Sequence, residues 1–173
     1  MRKIFLVLFV FLLTLPAFSQ VKWYSFEEAV ELNKDEPRKF MIDVYTDWCG
    51  WCKVMDKNTF NNDTVAAYLN KKYYPVKLNA EQKDSIMYEG HAYKYVASGA
   101  RGVHEFAYAL LGGNMSYPSI VFLDENLQGL TVEKGYIKAQ RFDMIIKFIG
   151  GNHYKSKNWN TWTSEYSSPL PAD

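Results

Sequence analysis

The chain contains only two cysteines among its 173 residues, and neither sign of charge is in excess, with 20 Lys and Arg against 19 Asp and Glu. Two cysteines are too few for the disulfide framework that stabilises small secreted domains. The net charge of +1 argues against a nucleic-acid binder driven by phosphate contacts, because such proteins need a concentrated basic surface. The 48% share of hydrophobic residues argues against disorder, and the length predicts one globular domain.

An apolar run near the N-terminus, residues 4–15, is short for a helix that must span a ~30 Å hydrocarbon core. Two basic residues precede this run, a proline ends it, and the small residues Ala17 and Ser19 stand at the positions that a signal peptidase reads. We therefore expect residues 1–19 to be a signal peptide that is cleaved after Ser19. The alternative is an uncleaved N-terminal anchor. No cysteine follows the run, so nothing indicates a lipid-anchored lipoprotein.

The rest of the chain alternates short apolar runs with amphipathic segments of helical period. The apolar runs predict strands at residues 40–45, 73–78, 119–123 and 130–136. The other segments predict five helices: one from the capping box at 25–28 to before Pro37, one that starts within 48–53, one after an Asp63 cap, one around 106–110 and one over 142–149. The stretch 81–102 is expected to be helical in part, and the tail 152–173 has no assignable pattern. This order predicts an α/β domain over 20–151, with a central mixed sheet flanked by helices on both faces.

The segment Cys49-Gly50-Trp51-Cys52 carries the chemistry, because two residues separate its cysteines at a predicted strand-to-helix junction. The first thiol would lie at a helix N-terminus, where unpaired N–H groups and the helix dipole favour the thiolate. The pKa of such a cysteine falls from about 8.5 to roughly 3.5–7.5. Cys52, one turn later, can close a disulfide with Cys49. The pair therefore suits thiol–disulfide exchange, in which Cys49 attacks and Cys52 resolves the mixed disulfide.

Two other uses of the cysteine pair stay open at this point. A structural disulfide here would tie one helical turn to itself and contribute about 2 kcal/mol by the chain-entropy argument. A zinc site needs about four ligands, and His91, His104 and His153 stand at spacings unlike any common zinc module. We expect no metal and no organic cofactor, and we interpret His91 and His104 as non-catalytic.

The residues Trp48-Cys49-Gly50-Trp51-Cys52-Lys53 resemble the active-site motif of the thioredoxin superfamily, in which Trp-Cys-Gly-x-Cys-Lys follows a buried strand. Further family features match in the same order: Asp43 six residues before Cys49, Lys77 in the next strand, Tyr117-Pro118 before a strong strand, and Gly135 after the hairpin. The match covers about residues 23–150. It implies a thioredoxin fold with an insertion at about 81–102, before the cis-proline loop of the family.

The resemblance implies a role for each matching residue. Asp43 would be a buried aspartate of raised pKa that exchanges protons with Cys52, and Lys77 would pair with Asp43 and modulate its charge. Pro118 would be cis, and its loop would offer backbone groups to an extended substrate. The structural alternatives are an Asp43 that faces solvent, a Lys77 that points outward and a trans Pro118.

Three aromatic residues would surround the thiols as an apolar substrate-binding surface, namely Trp48, Trp51 and Tyr117. Trp48 has the alternative of packing in the core. Trp51 stands where typical thioredoxins carry a proline, and this departure leaves the direction of electron flow open.

The signal peptide, the Gly-Trp dipeptide and the insertion together resemble exported thioredoxin-like proteins of bacteria, including those of the thiol:disulfide interchange type. The resemblance implies a monomeric, periplasmic or secreted oxidoreductase that reduces or isomerises disulfides of other exported proteins. It also implies a membrane or periplasmic redox partner, and neither a nucleic acid nor a metal. The alternatives are a disulfide-forming oxidase of the same fold and a non-catalytic binding module.

Overall fold

The computed structural model describes residues 20–99 and 101–172, so the expected signal peptide lies outside the described residues. The strands are β1 (Lys39–Tyr45), β2 (Tyr73–Asn79), β3 (Ile86–Tyr88), β4 (His91–Tyr93), β5 (Tyr95–Ser98), β6 (Arg101–His104), β7 (Ser119–Leu123) and β8 (Gly129–Lys134). The α-helices are α1 (Phe26–Asp35), α2 (Gly50–Met55), α3 (Asp63–Lys72), α4 (Glu105–Leu110), α5 (Ala139–Gly150) and α6 (Trp159–Glu165). A π-helical turn, Asp56–Phe60, continues α2, and a 3₁₀ turn, His153–Lys155, precedes α6. No helix of the described ranges is both long enough and apolar enough to cross a membrane.

The central sheet has four strands in the order β2-β1-β7-β8. β1 and β2 are parallel, whereas β7 is antiparallel to both β1 and β8, so the sheet is mixed as predicted. β2 lies at the edge, which accommodates Pro75 because that residue has no N–H to donate to a neighbouring strand. The β7–β8 hairpin is also as predicted, although β8 begins and ends earlier than residues 130–136.

The two faces of the sheet bury separate apolar clusters, since successive strand residues point to opposite sides. In β1, Phe40, Ile42 and Val44 pack with residues of α1 and α4, whereas Met41 packs with residues of α3 and α5. Helices therefore cover both faces. By the same alternation Asp43 lies on the face of Met41, which is the face that α3 and α5 cover.

The caps of the first two long helices follow the local sequence. Ser25 and Glu28 form the expected capping box, and α1 ends before Pro37. The prediction of Asp63 as the cap of α3 was wrong by one residue. The side chain of Asn62 is the cap, because it accepts hydrogen bonds from the backbone N–H groups of Thr64 and Val65.

The stretch 81–102 was predicted to be helical in part, and this was wrong. It forms two short antiparallel hairpins, β3–β4 and β5–β6. Glu89 and Gly90 make the first turn with positive φ angles of 51° and 76°. Strands of three or four residues are too short to show a period in the sequence, which explains the error.

The tail after Gly151, which had no assignable pattern, folds back onto α5. Trp162 of α6 is 6% exposed and stacks between His153 and Tyr166, with ring centroids 4.3 and 4.7 Å away. The Tyr166 hydroxyl donates a hydrogen bond to Oδ2 of the buried Asp143 over 2.8 Å. These contacts join the tail to the last helix of the domain.

Candidate active site

Cys49 and Cys52 form a disulfide at the N-terminus of α2, with their Cα atoms 5.3 Å apart. Cys49 is the N-cap residue, and its Sγ accepts the backbone N–H of Cys52 over 3.1 Å. This hydrogen bond and the helix dipole both stabilise negative charge on the Cys49 sulfur once the disulfide is reduced. Both cysteines are buried in the oxidised form. The sequence therefore predicted correctly where the pair lies in the fold.

The peptide bond between Tyr117 and Pro118 is cis, as expected. It lies directly before β7, whose first residue pairs with Val44 near the end of β1, the strand that leads to the cysteines. The carbonyl of Pro118 accepts the N–H of Gly135 over 2.8 Å, which ties this loop to the end of β8. The loop therefore lies at the same end of the sheet as the disulfide.

An open groove of about 370 Å³ is lined by Trp51, which stands between the two cysteines in the sequence, and by Tyr117, Pro118, Gly135 and Tyr136. Trp51 is 62% exposed and stacks on Tyr136 with ring centroids 5.5 Å apart. No charged side chain among the described residues lines this groove, so it suits an apolar or backbone segment of a partner.

Trp48, for which core packing was the alternative, is 51% exposed. Its Nε1 donates to Oε1 of Glu81 over 3.1 Å, and its ring meets that of Tyr117 edge to face at 5.9 Å. The guanidinium of Arg101 lies 4.4 Å from the centroid of the Trp48 ring. The structure thus brings the three predicted aromatic residues to the surface around the disulfide, and the sequence did not predict Arg101 or Glu81 there.

Asp43 is 1% exposed, so the alternative of a solvent-facing residue is wrong. Burial raises the pKa of its carboxyl group from 3.8 to about 6, although the Lys77 ammonium opposes this increase. Within the described chain, its Oδ1 atom has no hydrogen-bond partner. A carboxyl group with a pKa near neutrality can both take up and release a proton under physiological conditions.

Lys77 points inward, and its Nζ lies 2.5 Å from Oδ2 of Asp43. The same ammonium also binds Asp56, the first residue of the π-helical turn after α2. Burial alone would lower the pKa of Lys77, but its two carboxylate partners outweigh burial and raise it. Asp56 was missed in the sequence because only the helical path from Cys52 brings it to Lys77.

Of the two histidines interpreted as non-catalytic, His91 lies in the insertion and His104 lies just after it, at the end of β6. His104 is buried and caps α4, since its Nδ1 accepts the N–H of Phe106 over 3.2 Å. Burial lowers its pKa. His91 is exposed and contacts Tyr93. Among residues 20–99 and 101–172, no group of three or more His, Cys, Asp or Glu side chains is arranged to hold a metal ion.

Comparison with known sequences places the chain in a family. The profile of the Thioredox_DsbH family, described as "Protein of unknown function, DUF255", matches residues 11–164. The uncharacterized protein B0495.5 of Caenorhabditis elegans is 27% identical over 112 residues, which are 64% of this chain and 13% of that protein. The thiol:disulfide interchange protein DsbD of Actinobacillus pleuropneumoniae is 26% identical over 117 residues, or 65% of this chain and 16% of that protein. The chain thus matches only a small part of the length of these relatives.

Solved structures agree on the fold. A thioredoxin-fold protein from Helicobacter pylori superposes with a TM-score of 0.57 at 17% identity, covering 86% of each chain. A DsbH oxidoreductase superposes with a TM-score of 0.50 at 19% identity, covering 71% of this chain and 82% of the other. This chain therefore belongs to the Thioredox_DsbH family of the thioredoxin superfamily, and it has that superfamily's disulfide oxidoreductase fold with a Cys49–Cys52 pair.

Proposed function

We propose that this protein is an exported thiol–disulfide oxidoreductase that reduces or isomerises disulfides of other exported proteins through Cys49 and Cys52. One observation carries the proposal: the two cysteines form a disulfide at a helix N-terminus, at the end of the sheet where the cis Tyr117–Pro118 bond lies. A disulfide that closes a single helical turn contributes less stability than one that closes a long loop. The position of the Cys49–Cys52 disulfide beside an open groove favours a redox-active pair over a structural disulfide.

The proposed reaction starts from the reduced pair. The Cys49 thiolate attacks one sulfur of a substrate disulfide; that S–S bond breaks, and the departing substrate sulfur leaves as a thiolate that takes up a proton. Cys52 then loses its proton and attacks Sγ of Cys49. The mixed disulfide breaks, the substrate leaves with its second thiol, and the Cys49–Cys52 disulfide forms. Two electrons pass to the substrate, and a dithiol donor returns them to the protein.

Asp43 is proposed to accept the Cys52 proton in the second step and to return it in the reverse direction. Its buried carboxyl group, with a pKa of about 6, supports this role because such a group is mostly unprotonated at neutral pH but still basic. Lys77 and Asp56 are positioning residues in this scheme. Their charges act on Asp43, and neither side chain has a described contact with the sulfur of Cys49 or Cys52.

Two measurements test the proposed function, and the first concerns the direction of electron flow. Equilibration with glutathione gives the reduction potential of the Cys49–Cys52 pair, and a value near about −270 mV supports a reductase. A value near about −120 mV would instead support the alternative, a disulfide-forming oxidase.

The second measurement traps partners in the cell. The Cys52→Ser variant, expressed from the full chain, should accumulate mixed disulfides on Cys49 that dithiothreitol releases, whereas the Cys49→Ser/Cys52→Ser variant should not. If Cys52→Ser traps no partner while a matched thioredoxin variant traps several, the exchange function is contradicted and the binding module is favoured.

Export rests on the pattern of residues 1–19 and has its own test. We expect the mature protein, purified from a bacterial periplasm, to begin at Gln20 by N-terminal sequencing. Retention of the first 19 residues would contradict cleavage and support the membrane-anchored alternative.

A further inference from the structure

Arg101 comes from the hairpin β5–β6 and reaches the indole of Trp48, the residue directly before Cys49. Its guanidinium lies 4.4 Å from the ring centroid, which is within the range of a cation–π contact. No carboxylate of the described chain forms an ion pair with Arg101. The insertion therefore carries an exposed positive charge, with no ion-pair partner in the described chain, to the residue directly before the cysteine pair.

Trp48 fixes the position of the Arg101 guanidinium. Its Nε1 donates to Glu81, and its ring meets Tyr117 edge to face, so the indole is fixed from two sides. Two acidic side chains near Trp48 accept hydrogen bonds from neutral groups and form no described ion pair with Arg101. Glu81 accepts from Trp48, and Oδ2 of Asp47 accepts from Asn79 over 3.2 Å.

We propose that Arg101 is a specificity residue that selects substrate segments with an acidic side chain next to the reacting cysteine. This inference rests on the proposed function and names its substrate class. The uncharged groove of Trp51 and Tyr136 takes the apolar part of the segment. A substrate carboxylate beside the cysteine would meet the guanidinium above Trp48 and supply the counter-ion that Arg101 lacks.

Arg141 offers a matched control for Arg101. It also lies over a tryptophan ring, 5.8 Å from the centroid of Trp159. It lines a different groove, between β8, α5 and the tail, where Glu133 is also present. Replacing either arginine by glutamine removes the same charge and nearly the same side chain. Only Arg101→Gln removes it beside the disulfide.

The test uses two disulfide peptides that differ only in Glu or Gln beside the cysteine, with kcat/KM for reduction measured at low salt. For the unmodified protein, kcat/KM should be about two- to fivefold higher for the Glu peptide, the range of an exposed ion pair. The preference should disappear in Arg101→Gln, persist in Arg101→Lys and Arg141→Gln, and fall as added salt screens it. Glu81→Gln should increase the preference for the Glu peptide, because that change removes a nearby negative charge.

Three results would overturn the inference: no preference for the Glu peptide in the unmodified protein, an unchanged preference and rate in Arg101→Gln, or an equal fractional loss of kcat/KM for both peptides in Arg101→Gln. The last would mean that Arg101 only holds Trp48 in place.

If neither peptide is reduced, the proposed function fails, and a binding assay that needs no redox activity tests the role of Arg101 separately. In that assay, tryptophan fluorescence measures peptide binding to the Cys49→Ser/Cys52→Ser variant. This variant should bind the alkylated Glu peptide about two- to fivefold more tightly than the alkylated Gln peptide. Equal affinities would contradict the role of Arg101.

Discussion

Lys77 stands directly beside Asp43 in the register of β1 and β2, and its ammonium lies 2.5 Å from Oδ2 of that carboxyl group. The ion pair reduces the effect of burial but does not cancel it, since the pKa of Asp43 is still raised to about 6. The carboxylate form of Asp43 is therefore disfavoured in the folded protein compared with the unfolded chain. This relationship has consequences for stability and for the proposed proton transfer.

The stability of the oxidised protein should depend on pH through Asp43. Because its folded pKa lies above the unfolded value of 3.8, its contribution is complete below about pH 4 and is lost as the pH rises towards about 6. We expect the free energy of unfolding of Asp43→Asn, relative to the unmodified protein, to rise by about 2–3 kcal/mol between pH 4 and pH 7. Urea unfolding of both proteins across this range measures the change. A difference that is constant with pH would contradict the raised pKa.

The neighbours of Asp43 should shift its pKa in opposite directions. Lys77→Met removes the ammonium that lowers this pKa and should move it above 6. Asp56→Asn removes a negative charge that raises it and leaves Lys77 bound to Asp43 alone, so the pKa should fall. Carbon-13 NMR of the Asp43 carboxyl group reports both shifts. Shifts of the same sign in the two variants would show that Lys77 and Asp56 do not act through charge.

The main features of the site could be predicted because they are local. The strand before Cys49 is an apolar run that contains one charged residue, Asp43, and the strand that directly follows Pro118 is a similarly distinct apolar run. Asp56, Arg101 and Glu81 could not be predicted in the same way. Asp56 reaches Lys77 along the helix that continues from Cys52, whereas Glu81 and Arg101 reach Trp48 through a turn and a hairpin whose paths depend on tertiary contacts. None of the three carries a local pattern that distinguishes it from a solvated charge.

Trp51 should contribute to substrate binding and little to stability. It is 62% exposed, so Trp51→Ala should change the free energy of unfolding by less than about 0.5 kcal/mol. Loss of its ring from the groove should lower kcat/KM for a peptide disulfide about three- to tenfold. Leu32→Ala in α1, also exposed, serves as the control and should change neither quantity. An unchanged kcat/KM in Trp51→Ala would place the substrate outside this groove.

The tail should stabilise the domain through Tyr166. Its hydroxyl donates to the buried Asp143, and Tyr166→Phe leaves that oxygen without this donor. We expect a loss of about 1–3 kcal/mol in the free energy of unfolding, measured by urea titration. Tyr154→Phe is the matched control, because within the described chain its hydroxyl makes no hydrogen bond, and its effect should stay below about 0.5 kcal/mol. Equal effects of the two changes would mean that the Asp143 contact contributes nothing.

The tail also shows why some elements escape prediction from sequence. The helix α6 has seven residues, WNTWTSE, most of which have modest helix propensity. Its stability comes from Trp162, which packs on α5 and donates to the carbonyl of Met144 over 3.1 Å. A helix that depends on packing leaves no periodic pattern of its own. The hairpins of the insertion are similar, since their pairing is visible only in three dimensions.

The most direct test of the proposed function is the reduction of insulin disulfides with dithiothreitol as electron donor. The unmodified mature protein should accelerate the reaction well above the rate with dithiothreitol alone. Cys49→Ser should give only that background rate, because it removes the attacking thiolate and leaves the fold intact. If the unmodified protein is no faster than Cys49→Ser, the cysteine pair does not catalyse reduction and the proposed reductase function is contradicted.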